Sequence, residues 1–353
     1  MAHWDESKRE AGKERQPGFS LIELIVVVAV LTSVSGIILT VMFQMAMTQN
    51  SVGNRTEMHS GVRSATELLQ QEIGQAGRAA STADPTSPAT LTQDVAGDGA
   101  SHSPTVTSVN GLFPGVIVLV GPDTTNGPDR ELFTIKTVGS NTITGVWQNA
   151  HSGTALNKAR IAVQGVFASG IVPPTGSKVI SWSTATSLPV VTTLTAGTTP
   201  GSSAIKLKMY GDINADGNMV YIEYACNQGT TSAPGTLTRT VIPYDTALAK
   251  NATNFPPQTL LSNILANPGG TDCFAYQTKV VGNDTYVVDV AVTLTVQTEN
   301  RDSKTGQYQT ETKALLNVSP RNVYEGWQMA SLAGGNASRI QPMPESILNL
   351  LNP

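Results

Sequence analysis

KERQPGFSLIELIVVVAVLTSVSGIILTVMFQMAM, residues Lys13 to Met47, decides how this chain is read. From Leu24 to Met47 there are 24 consecutive positions without a charge. About 20 apolar residues suffice to cross a bilayer as a helix, so the run is long enough to span. A cleavable secretory signal has a shorter apolar stretch, about 7–15 residues, followed by a small-residue cleavage site. This run is too long and lacks that site. Lys8, Arg9, Lys13 and Arg15 precede it, whereas only Arg55 and Arg63 follow within the next turns. Basic residues stay on the cytoplasmic side, so the N-terminus is expected inside and the bulk of the chain exported.

Glu23 stands at the entrance to this run, where an unpaired carboxylate is costly: about 2.5–3.5 kcal/mol at a bilayer centre, less near the interface. A generic signal anchor has no use for it. The junction Gln16-Pro17-Gly18-Phe19-Ser20-Leu21-Ile22-Glu23 resembles the class III signal of type IV prepilins and type II secretion pseudopilins. The resemblance implies cleavage after Gly18 by a prepilin peptidase and N-methylation of the new terminal Phe19. Glu23 then becomes the fifth mature residue. It implies a role for Glu23 in assembly, facing the N-terminal ammonium of a neighbouring subunit as a buried pair that sets register more than stability. Many major pilins carry a proline where this chain has Thr40, so the sequence departs from the family there.

Polar residues return after Met47 while helical spacing persists. Val62, Ala65, Leu69, Ile73 and Ala76 form one apolar stripe, expected to pack on a sheet, with Arg63, Glu67, Gln70 and Arg78 opposite. The spacing predicts a helix over 19–80, anchor 24–47 and stalk 48–80, ending ahead of Pro85 and Pro88. Residues 81–103, rich in Ser, Thr, Asp, Gly and Pro, read as a linker. Short apolar runs at Val116–Val120, Glu131–Val138, Asn141–Val146, Ala159–Phe167 and Lys178–Ser183 predict strands in a β-rich insert over 104–203. One continuous elaborate sheet is the alternative. The passage from Phe113 to Gly145 resembles small β modules found inserted in surface and phage-tail proteins.

From Ala204 the order of elements resembles the minor pilins of the PilW group and the type II secretion J pseudopilins. Ile205–Tyr210 and Met219–Ala225 alternate as strands, followed by Leu237-Thr238-Arg239, Leu260–Leu265 as a short helix, and Phe274-Ala275-Tyr276. A long strand at Tyr286–Thr298, a turn at Lys304-Thr305-Gly306 and a return strand at Glu311–Val318 complete a head over 204–325. A tail over 326–353 follows, with a helical turn at Pro344–Leu351, after a leader over 1–18 at the other end. The expected fold is α+β and pilin-like: a long N-terminal transmembrane and stalk helix packed on a C-terminal antiparallel β-sheet head, with a β-rich insert.

Asp212-Ile213-Asn214-Ala215-Asp216-Gly217-Asn218, with Glu223 five residues further on, fits the twelve-residue calcium loop. Asp212, Asn214, Asp216 and Glu223 would offer side-chain oxygens and Asn218 its carbonyl. Strand-like flanks favour a plain Asn/Asp/Gly hairpin turn instead. Cys226 and Cys273 lie in the exported part, where a disulfide is favoured over two buried thiols.

Composition limits the remaining choices. Charged residues are 14% of the chain, against about 25% in ordinary domains, and the net charge of −4 gives no attraction to nucleic acid. Two cysteines and four scattered histidines exclude a Cys-rich zinc site. No Gly-x-Ser-x-Gly, His-Glu-x-x-His, Walker or dinucleotide motif occurs, so no catalytic residues are expected. The function expected from the resemblance is structural: a minor pilin or pseudopilin that initiates, caps or enters a filament. A membrane-anchored adhesin or calcium-binding module using the same export route is the alternative. Expected partners are the prepilin peptidase, other minor and major pilins or pseudopilins, the inner-membrane assembly platform, and membrane lipid before assembly. No cofactor beyond the candidate calcium is expected. The expected location is the bacterial inner membrane, single-pass with a periplasmic head, then the pilus or pseudopilus at the cell surface.

Overall fold

The computed structural model describes residues 18, 20–79, 89–121, 130–163, 166–167, 169–244, 246–323 and 340–352. The chain divides into two units, Met1–Gly53 with Asp302–Gln307, and Asn54–Arg301 with Tyr308–Pro353. Helix α1 runs over Leu21–Gln75.

Ser20 starts the helix. Its carbonyl accepts the Leu24 N–H at 3.1 Å, and its own N–H donates to Glu23 Oε2 at 3.3 Å, one half of a capping box. Within the apolar run the hydroxyls of Thr32, Ser33 and Thr40 donate to carbonyls four residues back at 2.7–2.8 Å, so none needs water. The helix passes Thr40 without interruption.

It ends five residues earlier than the proline positions suggest. Gly77 adopts φ +79°, donates its N–H to the Tyr210 carbonyl at 3.0 Å, and lies so close to Ser169 that a Cβ would come within 2.8 Å of that backbone. Only glycine fits both demands, so helix termination is set by Gly77 and not by the distant prolines.

After the second part of α1, the second unit continues with a set of short strands: β1 (Ser101–His102), β2 (Ile117–Val120), β3 (Glu131–Thr134), β4 (Thr137–Val138), β5 (Ile143–Val146), β6 (Ile161–Val163), β7 (Val166–Phe167), β8 (Lys178–Ser183) and β9 (Leu188–Thr193). They form separate small sheets, β1-β5-β4, β3-β2-β6 and β8-β9, and are not one extended sheet. The run Glu131–Val138 breaks into two strands, and Leu188–Thr193 adds a strand that the Thr-rich composition concealed.

A seven-stranded antiparallel sheet follows: β10 (Lys206–Gly211), β11 (Val220–Asn227), β12 (Gly235–Pro243), β13 (Gln258–Leu265), β14 (Phe274–Val281), β15 (Asp284–Gln297) and β16 (Thr310–Val318). The order is β10-β11-β12-β13-β15-β14, with β16 also on β15. Leu260–Leu265, expected as a helix, is part of strand β13, paired with β12 and β15. Strand β17 (Ile340–Gln341) pairs in parallel with β7, and helix α2 (Glu345–Leu351) follows.

Two apolar cores lie on opposite faces of β10–β11. Val62, Ala65, Leu69, Ile73 and Ala76 of α1 share a core with Leu207, Met209, Ile222 and Tyr224. Full burial of a Leu or Ile contributes about 1.5–3 kcal/mol, so Leu69 and Ile73 hold much of this seam. The stripe therefore packs on a sheet. Tyr210 and Tyr221, on the alternate face, join the second core with Phe113, Phe133, Trp147 and Phe167.

Residues 89–103 do not behave as a linker. Ala89, Leu91 and Val95 are buried in the second core, and bridges tie Thr90 to Arg160, Leu91 to Val106 and Val95 to His151. The C-terminal segment is likewise built in, through Met343, Ile347, Leu350 and Leu351. Residues 81–88 of the expected linker, the expected leader through residue 17, and Trp327 with the rest of 324–339 lie outside the described residues.

Candidate functional site

Gly18 is exposed, and a Cβ there would meet nothing within 4 Å. Phe19 lies outside the described residues. Glu23 accepts from the Ser20 N–H across the first helical turn, where a carboxylate also offsets the unpaired N–H groups of the helix start. The large apolar side chains from Leu24 to Met47 are all exposed. The helix is long and apolar enough to cross a membrane, with mean hydropathy 2.7 over its most apolar window.

The Asp212 loop is a hairpin turn held by its own side chains. Asp212, 1% exposed, accepts the N–H groups of Asp216 and Gly217 on Oδ1 at 3.0 and 3.3 Å, while Arg78 Nε lies 3.8 Å from Oδ2. Burial raises the Asp212 pKa, opposed by the Arg78 charge. Ala215 and Gly217 take positive φ, and Asp216 Oδ1 accepts the Asn218 N–H at 2.9 Å. Asn214 and Asn218 are exposed.

Glu223 lies on strand β11, opposite Lys208. Its carboxylate accepts from Lys206 at 3.0 Å, Lys250 at 2.8 Å and the Tyr221 hydroxyl at 3.0 Å. Burial alone would raise its pKa, but the two lysines outweigh that and hold it at about 2. Among the described residues no group of three or more His, Cys, Asp or Glu side chains is placed to hold a metal ion. Of the five candidate ligands, Asp212 and Asp216 hold the turn and Glu223 takes the two lysines and Tyr221, while Asn214 and Asn218 lie exposed on the loop.

Cys226 and Cys273 form a disulfide across 47 positions. It joins the end of β11 to the residue before β14. One further group was not foreseen in the sequence. Glu72, its side chain 6% exposed, sits on the buried side of α1 and takes a bidentate pair from Arg239, Nη2 to Oε1 at 2.5 Å and Nε to Oε2 at 3.2 Å. The Tyr224 hydroxyl donates to Oε2 at 2.5 Å. Burial opposes the Arg239 charge, but Glu72 outweighs it and the guanidinium pKa rises. The available signal was a carboxylate between Leu69 and Ile73 on an otherwise apolar stripe, which demands a buried cation.

The β8–β9 hairpin walls a groove of about 830 Å³ with Ile117, Leu132, Trp182, Leu188 and Val191 on its apolar sides. Asp284, 8% exposed, also lines it, its Oδ1 accepting the Ile180 N–H at 3.1 Å; burial raises its pKa to about 7.

Residues 14–39 match the family model described as the prokaryotic N-terminal methylation motif. The match covers Gly18, Phe19 and Glu23 and supports a type IV pilin-like prepilin N-terminus, the segment recognised by a prepilin peptidase. No curated protein and no solved structure matches the chain.

Proposed function

We propose that this chain is a minor pilin or pseudopilin, a non-catalytic subunit that initiates, caps or enters a type IV pilus or a type II secretion pseudopilus. The observation that carries the reading is one helix, α1, with two kinds of surface. Its first half is exposed and apolar behind a methylation motif; its second half carries a buried stripe under an antiparallel sheet. The first half serves as membrane anchor and then as filament core. Cleavage after Gly18 frees the Phe19 amine for methylation, and Glu23 exchanges its Ser20 contact for the ammonium of a neighbouring subunit. Such an exchange replaces a half-solvated cap with a buried pair, which favours one axial register. Glu23→Ala tests this step: the chain should still be cleaved, yet immunoblots of sheared filaments should show much less of it. Undiminished incorporation of Glu23→Ala would remove Glu23 from assembly.

An adhesive head is the second reading, favoured by the apolar groove beside β9. Binding of the full chain to a surface or glycan, lost on Leu188→Asp in the groove wall, would support it. Copurification with other minor pilins supports the first.

A further inference from the structure

We infer that Asp302–Gln307 is a lipid-headgroup contact that fixes how deeply α1 sits in the membrane. The inference rests on the reading of α1 as a membrane span. The segment belongs to the same unit as the first half of the helix. Ser51 Oγ donates to Asp302 Oδ2 at 2.5 Å, and Ser303 Oγ reaches the Met47 carbonyl at 3.4 Å. The loop therefore lies against the helix where the uncharged run ends.

The bilayer's dimensions give that place a depth. At about 1.5 Å per residue, roughly 20 residues cross a hydrocarbon core of ~30 Å. With Glu23 held at the cytoplasmic boundary, the core ends near Phe43, and Gln44 is the first polar side chain beyond it. Met47 then lies ~6 Å past the core, within a headgroup layer some 5–8 Å thick, and Ser51 lies ~12 Å past it, on the layer's outer side. A tilt of ~20° shortens these advances only slightly.

The loop has the chemistry for that layer. Asp302 folds it, accepting the N–H groups of Lys304 at 3.0 Å and Thr305 at 2.9 Å, while its own N–H donates to the Gln307 carbonyl at 2.8 Å. Asp302 is thereby buried in the turn, and Ser303, Lys304, Thr305 and Gln307 are exposed. An ammonium, hydroxyls and an amide are donors suited to a phospholipid phosphate. A lysine at an anionic surface strengthens contact about fivefold. The bound loop resists further sinking of the helix, because its folded polar backbone would have to enter hydrocarbon.

The test uses the full chain in vesicles of phosphatidylglycerol and phosphatidylcholine, with one environment-sensitive fluorophore on a new cysteine. The two native cysteines are in their disulfide and do not compete for label. Labels go at Gln307 and at Val34 in mid-span. Spin-labelled lipids that quench at the headgroup or deep in the chains report depth. The expected result is headgroup quenching at 307 and deep quenching at 34. Lys304→Ala should lower the quenching at 307 about fivefold, as should replacing phosphatidylglycerol by phosphatidylcholine. Deep quenching at 34 with none at 307 would overturn the headgroup contact and leave the span intact. No quenching at 34 would overturn the span and the contact with it.

Discussion

Arg239→Met isolates the buried pair that joins α1 to the sheet. Arg239 is 14% exposed on its side chain and Glu72 6%, so water screens the pair weakly. Removing one partner of such a pair costs about 3–5 kcal/mol, because it leaves a charge buried alone. Tyr224 still donates to Glu72 after the change, which places the expected loss near 3 kcal/mol. Replacing Glu72 by Leu as well removes the orphaned carboxylate but strands the Tyr224 hydroxyl, at about 1–3 kcal/mol. Adding Tyr224→Phe should bring the triple variant close to the parent, since a well-packed apolar replacement of a buried pair is often neutral. Urea unfolding in detergent, followed by the fluorescence of buried Trp147 and Trp182, reads the four stabilities. A loss under about 1 kcal/mol in Arg239→Met, or a triple variant as weak as the single, would refute the reasoning.

Two shorter predictions follow from the acids. Asp284, with its pKa raised to about 7 by burial, is protonated in the folded chain at acidic pH; as pH rises from its ordinary carboxylate range through 7, folding must retain an unfavourable charge. Asp284→Asn should therefore raise the melting temperature at pH 8 and change it little at pH 5; an equal effect at both would count against the raised pKa. Because Asp212 and Glu223 are engaged elsewhere, millimolar calcium should leave the melting temperature unchanged, and a rise abolished by Asp216→Ala would restore the calcium loop.

The helix was legible because its signals are local: an uncharged run and a stripe at steps of three and four. The strands of β10 and β11 were legible for the same reason, their alternation being visible over six to eight residues. Strand β13 was not, because Leu260, Leu261, Ile264 and Leu265 fall at helical spacing. Asn263 at φ +60° and the register shifts against β12 break the two-residue alternation that would have marked a strand. Residues 89–103 were misread because their partners lie at 106, 151 and 160, and a polar composition says nothing about such distant bridges. Of the candidate sites, the methylation motif over residues 14–39 and the Cys226–Cys273 pairing are the parts that local sequence carried. The calcium motif matched in composition, yet its last residue sits on a strand among lysines that no spacing rule includes.

The measurement that bears most directly on the central claim is the mass and N-terminal sequence of the chain recovered from membranes of cells that express the prepilin peptidase. A mature chain of residues 19–353, beginning with N-methylated Phe19, is the predicted result, and Gly18→Leu should leave the uncut precursor. A mature terminus at any other residue, or an uncut parent chain beside a fully processed pilin control, would contradict the account.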